Sequence, residues 1–473
     1  MKRIKFLIAG LLFAGCSALA QNADQQAAIS KIAETAKTNS TEAMDQAKSL
    51  IKSDKKNLDL IISVGRTFLN AKKTDEASMI LDMAKKVKAN SAKTNVFAGD
   101  IEVAKNDPGT ACQMYETAIY YEPKDENAYF RYADIYKSID PEGAVTKLKA
   151  LKEKRPDLTN VDLKIGEVYY TSNKFEEAIA AYGTIDKSKM DDKGLQNYAF
   201  ALFMNHQFDK SEEIATMGLQ NNPRSAAFNR LAMYNNTDMK KFEEAEKYAN
   251  NLFNNSDNAD FSYLDYTYYG YALIGAKKFP EAIEQFKKAL ALDETRTDVI
   301  KALSDAYDNV LDYANATKYY KDYISKIDKS KLTADNIYQL GKIYYRWGTD
   351  ENKAIPAQEK VLALQTSDSI FAEVATMSPN IYLGNFYRAR ANSALDPDQS
   401  KGLAKPYYEA SVNTMLASND LAKYTNPLIE AYRYLAYYYY IKNMKSDSKS
   451  YCNKIAELDP ANEFVKKMLP LVK

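Results

Sequence analysis

The sequence predicts an all-α fold, a right-handed α-solenoid of about 11–12 helix-turn-helix repeats with a C-terminal capping helix. Three observations lead to this prediction. One four-position pattern recurs about every 34 residues, and a second pattern, built around a small residue, precedes it each time. The 473 residues also include only 16 Gly and 13 Pro, which is few for a sheet-rich fold with many tight turns.

The four-position pattern begins with an anchor residue and continues with a small residue three positions later and apolar residues seven and ten positions later. It is clearest in residues 173–185 and 277–290, where the anchors are Phe175 and Phe279. Offsets of three, seven and ten lie on one face of an α-helix, so each copy predicts a helix with one apolar face. The anchors are Ser40, Thr74, Pro108, Pro141, Phe175, Phe208, Phe242, Phe279, Tyr313, Glu351, Lys401 and Lys445.

The second pattern predicts another helix before each anchor. A small residue is followed three positions later by a large one, as in Gly166 with Tyr169 and Gly270 with Leu273. The small residue lets a neighbouring helix approach closely, and the large residue fills the space beside it. Each repeat is therefore predicted to be a pair of antiparallel helices. Proline ends the second helix in several repeats, at Pro123, Pro156, Pro223 and Pro460.

The first 20 residues have the composition of a signal peptide. Lys2, Arg3 and Lys5 precede a short apolar run over residues 6–14, and Ala18 and Ala20 form the small-x-small pattern that precedes cleavage. We expect cleavage after Ala20 and export to the periplasm. The leader carries three positive charges and no negative ones, so the remaining chain would have a net charge of −2.

Lipidation is the alternative fate of this leader. Residues 13–16 resemble a bacterial lipobox, in which Cys16 would carry the lipid and become the new N-terminus. The protein would then be an outer-membrane lipoprotein. Both alternatives place the mature chain outside the cytoplasm, and no later segment approaches the 18 apolar residues that a membrane span needs.

The repeats divide the rest of the chain into three segments. Residues 21–57 are predicted to be a degenerate first helical repeat, and residues 58–365 a regular array. Residues 366–473 are predicted to be irregular repeats with insertions, including a link over 366–380 and a loop over 392–397. Residues 461–468 have the length of the capping helix.

These repeats resemble the tetratricopeptide repeat (TPR) family. The resemblance rests on the 34-residue period, on Leu340-Gly341-x-x-Tyr344 in a first helix and on Ala282-x-x-x-Phe286 in a second helix. It covers nearly the whole chain after the leader and implies a solenoid with a concave groove lined mainly by first helices. By this resemblance the groove residues are Phe130, Tyr170, Phe200, Phe203, Tyr271, Tyr338, Lys342, Tyr345, Arg346, Arg388, Arg433, Tyr437 and Tyr440.

Aromatic residues and Arg dominate binding hot spots, so this set favours a surface that faces a partner. The alternative interpretation is that many of these tyrosines are partly buried residues that pack helices together. By resemblance to exported members of the family, the predicted function is a scaffold or adaptor of the bacterial cell envelope that binds a protein or an extended peptide. The alternative function is a glycan-binding envelope protein of a nutrient-capture system.

The sequence does not favour an enzyme. The single histidine, His206, is predicted to lie at a turn between two helices, and no GxSxG, P-loop or CxxC motif is present. We expect no cofactor, no metal site and, at a formal charge of +1, no nucleic-acid partner. Cys112 and Cys452 are predicted to be small buried residues without a disulfide.

Overall fold

A computed structural model describes residues 23–257, 259–352, 354–418 and 420–472. The predicted signal peptide of residues 1–20, its cleavage position after Ala20 and the possible lipidation site Cys16 lie outside these residues. Within them the chain is α-helical and contains no β-strand. The all-α prediction is therefore confirmed.

Twenty-five α-helices lie in the described part of the chain, and the first 24 follow one another as twelve pairs, in agreement with the predicted number of repeats. The helices are α1 (Ala23–Thr38), α2 (Ser40–Ser53), α3 (Leu58–Asn70), α4 (Thr74–Lys88), α5 (Ala92–Ala104), α6 (Pro108–Tyr121), α7 (Glu126–Tyr136), α8 (Pro141–Lys154), α9 (Asn160–Thr171), α10 (Phe175–Gly183), α11 (Asp192–Met204), α12 (Phe208–Asn221), α13 (Ala226–Asp238), α14 (Phe242–Asn255), α15 (Tyr263–Gly275), α16 (Phe279–Leu292), α17 (Thr297–Asn309), α18 (Tyr313–Lys326), α19 (Ala334–Thr349), α20 (Ala357–Met377), α21 (Leu383–Leu395), α22 (Lys405–Leu416), α23 (Thr425–Ile441), α24 (Lys445–Leu458) and α25 (Glu463–Met468).

The chain forms two compact units, one up to Asn235 and one from Asn236, with the boundary inside α13. In each unit the two helices of a pair pack on each other, and the second helix packs on the first helix of the next pair. In the second unit the predicted capping helix is confirmed as α25, whose buried Val465 and Met468 cover the apolar end of the array. Among the described residues, no helix has the length and apolar character to cross a membrane.

A glycine-to-aromatic contact sets the spacing within several pairs. A Cβ atom on Gly166 would lie 2.5 Å from a ring carbon of Tyr182, the residue seven positions after anchor Phe175. On Gly270, it would lie 2.4 Å from the ring of Phe286, at the same offset from Phe279. The close approach that the small residue predicts is confirmed, and the residue that packs against it is the apolar residue seven positions after the anchor.

In nine described turns between paired helices, the residue two positions before the anchor has the left-handed conformation. In the pair α9/α10 this residue is Asn173, with φ of 56°, and the next residue, Lys174, donates its backbone N–H to the carbonyl of Tyr169 at 2.9 Å. His206 occupies this turn position in α11/α12, which confirms its predicted location. Among the described residues, the non-glycine residues with this conformation are Lys72, Asn106, Asn173, His206, Lys240, Lys277, Leu311, Gln399 and Asn443.

The predicted link over 366–380 is wrong, because α20 continues through Met377. Its 21 residues contain neither Gly nor Pro, so nothing in the sequence interrupts the helix. The boundary predicted at 365/366 lies inside this helix. The loop predicted over 392–397 is also shorter than expected, because α21 continues to Leu395 and the Asn392 side chain donates to the carbonyl of Arg388 at 2.9 Å.

The anchor predicted at Glu351 is also wrong, because α20 begins only at Ala357. The contacts place the anchor at Leu364, with Ser367, Phe371 and Val374 at the required offsets. A Cβ atom on Gly341 would lie 2.8 Å from the Phe371 ring.

The hydroxyl of Ser367 supports the same register. It donates to the carbonyl of Gly341 at 3.1 Å. In α11/α12 the equivalent Ser211 donates in the same way to the carbonyl of Ala199, at 2.8 Å. The tenth pair is thus a longer helical hairpin, and it keeps the contact between its small residue and the apolar residue seven positions after the anchor.

Candidate functional site

Four aromatic rings form a cluster on α9, α10 and α11 of the first unit. The centre of the Tyr170 ring lies 5.8 Å from the centre of the Phe200 ring and 6.3 Å from the centre of the Phe175 ring. Phe203 continues the cluster, with its ring 6.4 Å from that of Phe200. All four side chains are half-buried, so each ring keeps part of its surface in solvent. The structure therefore brings together three of the predicted groove residues.

A charged network lies on the same series of first helices, α7, α9 and α11. The Lys164 ammonium lies 2.5 Å from Asp134 and 3.1 Å from Glu167. Lys193 lies 2.8 Å from Glu167, and Lys137 lies 3.1 Å from Asp134. Burial alone would raise the pKa of Glu167, but the three ammonium groups outweigh it and lower the pKa to about 2. Three cations and two carboxylates therefore share one continuous surface.

Phe130 borders this network. The Lys164 ammonium lies 5.8 Å from the centre of its ring. A cleft of about 230 Å³ opens beside both residues, and Asn160, Lys193 and Asn197 also line it. Phe130 therefore belongs to the charged part of the surface. Sequence reasoning missed the charged residues, although Asp134 and Glu167 each directly follow the small residue of their helix.

A second aromatic cluster lies on α19, α20 and α21 of the second unit. The centre of the Tyr387 ring lies 5.2 Å from the ring centre of Tyr338 and 5.8 Å from that of Tyr345. It also lies 5.0 Å from the buried Phe371 ring. Lys342 lies 5.7 Å from the centre of the Tyr338 ring. The structure thus brings together three predicted residues and adds Tyr387, which the sequence pattern indicated only as a packing residue.

The two predicted arginines near this cluster have acidic partners. Arg346 forms an ion pair with Asp308 of α17. The Arg388 guanidinium lies 2.9 Å from Asp368 of α20 and stacks 4.0 Å from the centre of the Tyr407 ring. A ligand that used either arginine would have to share it with a carboxylate.

The other predicted residues lie apart from these clusters. The Tyr271 ring packs against Phe286, 5.4 Å away, between α15 and α16. Arg433 is exposed and lies 5.4 Å from the ring of Phe464. Tyr437 and Tyr440 form a pair at 6.4 Å on the same helix, α23. In the second unit, Tyr271, Arg433 and the pair of Tyr437 and Tyr440 therefore lie outside the second aromatic cluster.

Sequence reasoning also missed Arg390 and Glu430. Their side chains form two hydrogen bonds of 2.7 and 2.5 Å between α21 and α23. The Tyr408 hydroxyl donates to the same carboxylate at 3.1 Å. No sequence signal marks this pair, because the two residues are 40 positions apart in a segment of irregular repeats.

In the described residues, no group of three His, Cys, Asp or Glu side chains is arranged to hold a metal ion. Cys112 and Cys452 are both buried free thiols. Burial, with a smaller contribution from Glu116, raises the pKa of Cys112 to about 11, so this thiol is not poised to react as a thiolate.

Several solved structures of TPR proteins are similar to this chain. The C-terminal part of a TPR repeat-containing protein from Cytophaga hutchinsonii is 29% identical, with 58% of this chain and 99% of that chain covered and a TM-score of 0.47. A tetratricopeptide repeat protein from Parabacteroides merdae is 16% identical, with 53% and 98% covered and a TM-score of 0.36. YrrB, a TPR protein with an unusual peptide-binding site, is 13% identical, with 44% and 92% covered and a TM-score of 0.31. No protein-family model and no curated protein matches the sequence.

Proposed function

We propose that this tetratricopeptide-repeat chain is a non-enzymatic scaffold of the bacterial cell envelope that binds a protein or an extended peptide along its first helices. The observation that carries the proposal is the row of half-buried aromatic rings on α9, α10 and α11, formed by Tyr170, Phe175, Phe200 and Phe203. A charged network shares helices α9 and α11 with this row and extends to α7.

The spacing of the first helices suits an extended ligand. Packed helices are about 8–10 Å apart, and an extended chain advances about 3.3 Å per residue. A peptide that crosses successive first helices would therefore present an apolar side chain about every third residue. Rings that are already held by neighbouring rings lose little side-chain entropy on binding, which favours such contacts.

The charged network adds selectivity to this surface. Lys137, Lys164 and Lys193 hold two carboxylates between them, so their combined charge is positive by one unit. A peptide with an acidic residue next to its apolar residues would complement both parts. Charge complementarity of this kind mainly determines partner choice and association rate.

Export to the periplasm belongs to the same proposal and rests on the leader of residues 1–20. A lipid on Cys16 would instead attach the scaffold to the outer membrane. Partners from the envelope would meet the protein in either location.

Pull-down with chemical crosslinking from a native envelope fraction tests the scaffold. We expect a specific partner to be lost in the double variant Phe200→Ala, Phe203→Ala. The matched control is Tyr120→Ala, since Tyr120 is 79% exposed on α6, a second helix, and its removal should leave capture unchanged. Equal recovery by the double variant would contradict binding on this face.

Glycan binding is a second candidate function, and one cleft of the second unit favours it. The cleft has a volume of about 840 Å³, and its lining combines two tyrosines, Tyr382 and Tyr424, with two amides, Asn380 and Asn413. Aromatic rings can pack on the apolar faces of sugars, and amides can hydrogen-bond their hydroxyl groups. A glycan array that is positive for the wild type and negative for Tyr424→Ala would support this function over the scaffold.

A further inference from the structure

A basic cleft lies where α2 and α4, the second helices of the first two repeats, meet the start of α3, and none of its lining residues belongs to the proposed scaffold surface. It has a volume of about 610 Å³ and lies between the end of α2, the start of α3 and the end of α4. Its floor is apolar and consists of Ile51, Ile61, Met83 and Val87, of which the two isoleucines are 6% and 1% exposed. Its rim carries three exposed lysines, Lys55, Lys56 and Lys86.

The rim lysines have no ion pair within the part of the chain that the structure describes. A basic residue in the last turn of a helix has a local structural explanation, since it interacts favourably with the helix dipole. The last turn of α8 differs, because Lys152 there lies 2.9 Å from Asp162. Around the cleft, the three lysines are instead exposed, and their ammonium groups form no ion pair with nearby carboxylates such as Asp54 and Asp82.

The surrounding sequence extends this positive charge. Residues 48–93 carry a net charge of +6, whereas the whole chain carries +1, and of these charges only the buried Arg66 is balanced by a described carboxylate outside the range, Asp100 at 2.9 Å. Lys52 and Lys85 are exposed on the same helix ends, α2 and α4. The positive charge therefore extends beyond the cleft and would attract several negative charges of a ligand.

We propose that this cleft binds an acidic segment of a partner protein that carries a bulky apolar residue. The recessed floor accepts an apolar side chain, and the rim places three cations around the point of entry. A membrane surface fits less well, because a flat layer of lipid headgroups would contact the lysines without reaching the buried isoleucines. The shape and the charge of the cleft together thus favour a peptide.

Fluorescence anisotropy with the full chain tests the proposal. The probe is a labelled peptide of repeated Glu-Glu-Leu-Glu units. One control peptide has Ser in place of Leu, and another has Gln in place of Glu. We expect the first probe to bind and both controls to bind about tenfold more weakly. Added salt should weaken the binding, since the rim lysines are exposed.

Lysine variants test whether the probe binds at this cleft or responds only to the total positive charge of the chain. The triple change Lys55→Gln, Lys56→Gln, Lys86→Gln should weaken the probe about tenfold. The matched change Lys241→Gln, Lys445→Gln, Lys449→Gln removes three exposed lysines elsewhere and should have no effect. The same helix content by circular dichroism would show that both variants fold.

Three results would overturn the proposal. The first is equal binding of the Gln peptide, and the second is equal loss in both triple variants. The third is binding to vesicles of phosphatidylglycerol without binding to the acidic peptide. Because Phe200 and Phe203 play no part in this cleft, the double variant at those positions should still bind the probe.

Discussion

At the scale of the residue, turns between paired helices depend on single side chains that tolerate a left-handed backbone. In the part of the chain that the structure describes, nine turns have such a residue two positions before the anchor, and none of the nine is Gly. Asn adopts this conformation readily, whereas an aliphatic residue does so at a cost of about 1–2 kcal/mol. The sequence does not reveal these positions, because Lys, Asn, His, Leu and Gln share no common signal.

Leu311 is the residue for which this cost should be largest. Its φ is 62° and its side chain is 58% exposed, so little burial compensates for the strain. We expect Leu311→Asn to raise the free energy of unfolding by about 1 kcal/mol, measured by urea denaturation. The control is Leu292→Asn, at an equally exposed residue that ends α16 without positive φ. A lower free energy of unfolding for Leu311→Asn would contradict the prediction that the backbone at Leu311 is strained.

Glu167 should make stability depend on pH in the acid range. The pKa of its carboxyl falls from an ordinary 4.5 to about 2 in the folded chain, because three lysines favour the charged form. The resulting stabilisation of roughly 2–3 kcal/mol is present above pH 4.5 and is lost as the pH falls towards 2. Glu167→Gln should therefore be less stable than the wild type at neutral pH and approach it in acid. Glu176→Gln, at an exposed position, is the control, and a pH-independent difference for Glu167→Gln would refute the linkage.

At the scale of the element, the repeat period and the close approach of a neighbouring helix at the small residue were predictable from the sequence, but the length of each helix was not. The offsets three, seven and ten identify one face of a helix but not where the helix begins or ends. Once α20 is known to be continuous, the same offsets apply with Leu364 as the anchor. The anchor at Glu351 failed because the pattern there rests on Ala354 alone, in a stretch that forms a turn. Ion pairs such as Arg346 with Asp308 were also not predictable, since the partners are 38 positions apart.

The contact of Gly341 with Phe371 tests the corrected register. Gly341→Ala should gain about 1 kcal/mol of helix propensity but lose about 1–3 kcal/mol through overpacking against the buried ring. We expect a net loss of stability, and the additional change Phe371→Leu should reduce it. Gly109→Ala is the control, because the nearest atom to its added Cβ is 3.6 Å away. If the effects of Gly341→Ala and Phe371→Leu were additive, the register would be wrong.

At the scale of the whole molecule, the chain consists of two units with the boundary at residues 235/236, inside α13. The period predicts a continuous array and does not indicate this boundary. Charge is also uneven, since residues 48–93 carry +6 in a chain of +1. Aromatic surfaces occur in both units, so each unit offers its own candidate contacts.

Export is the prediction that concerns the molecule as a whole. Expressed in a bacterium with two membranes, the chain should lose residues 1–20 and begin at Gln21, because Ala18 and Ala20 fit the cleavage pattern. Intact mass and cell fractionation measure this directly. A mass that corresponds to a diacylated Cys16, abolished by Cys16→Ser, would establish the lipoprotein alternative. An uncleaved chain in the cytoplasm would contradict export altogether.

Site-specific photocrosslinking tests the central claim, binding along the first helices, most directly. A photoreactive phenylalanine analogue would replace Phe203 in one variant, Tyr345 in a second and the exposed Tyr120 in a third. The proposed scaffold predicts that an envelope protein is captured from position 203 and not from position 120, and that any capture from position 345 yields the same protein. Capture from position 120 alone, from position 345 alone, or from none of the three would contradict it.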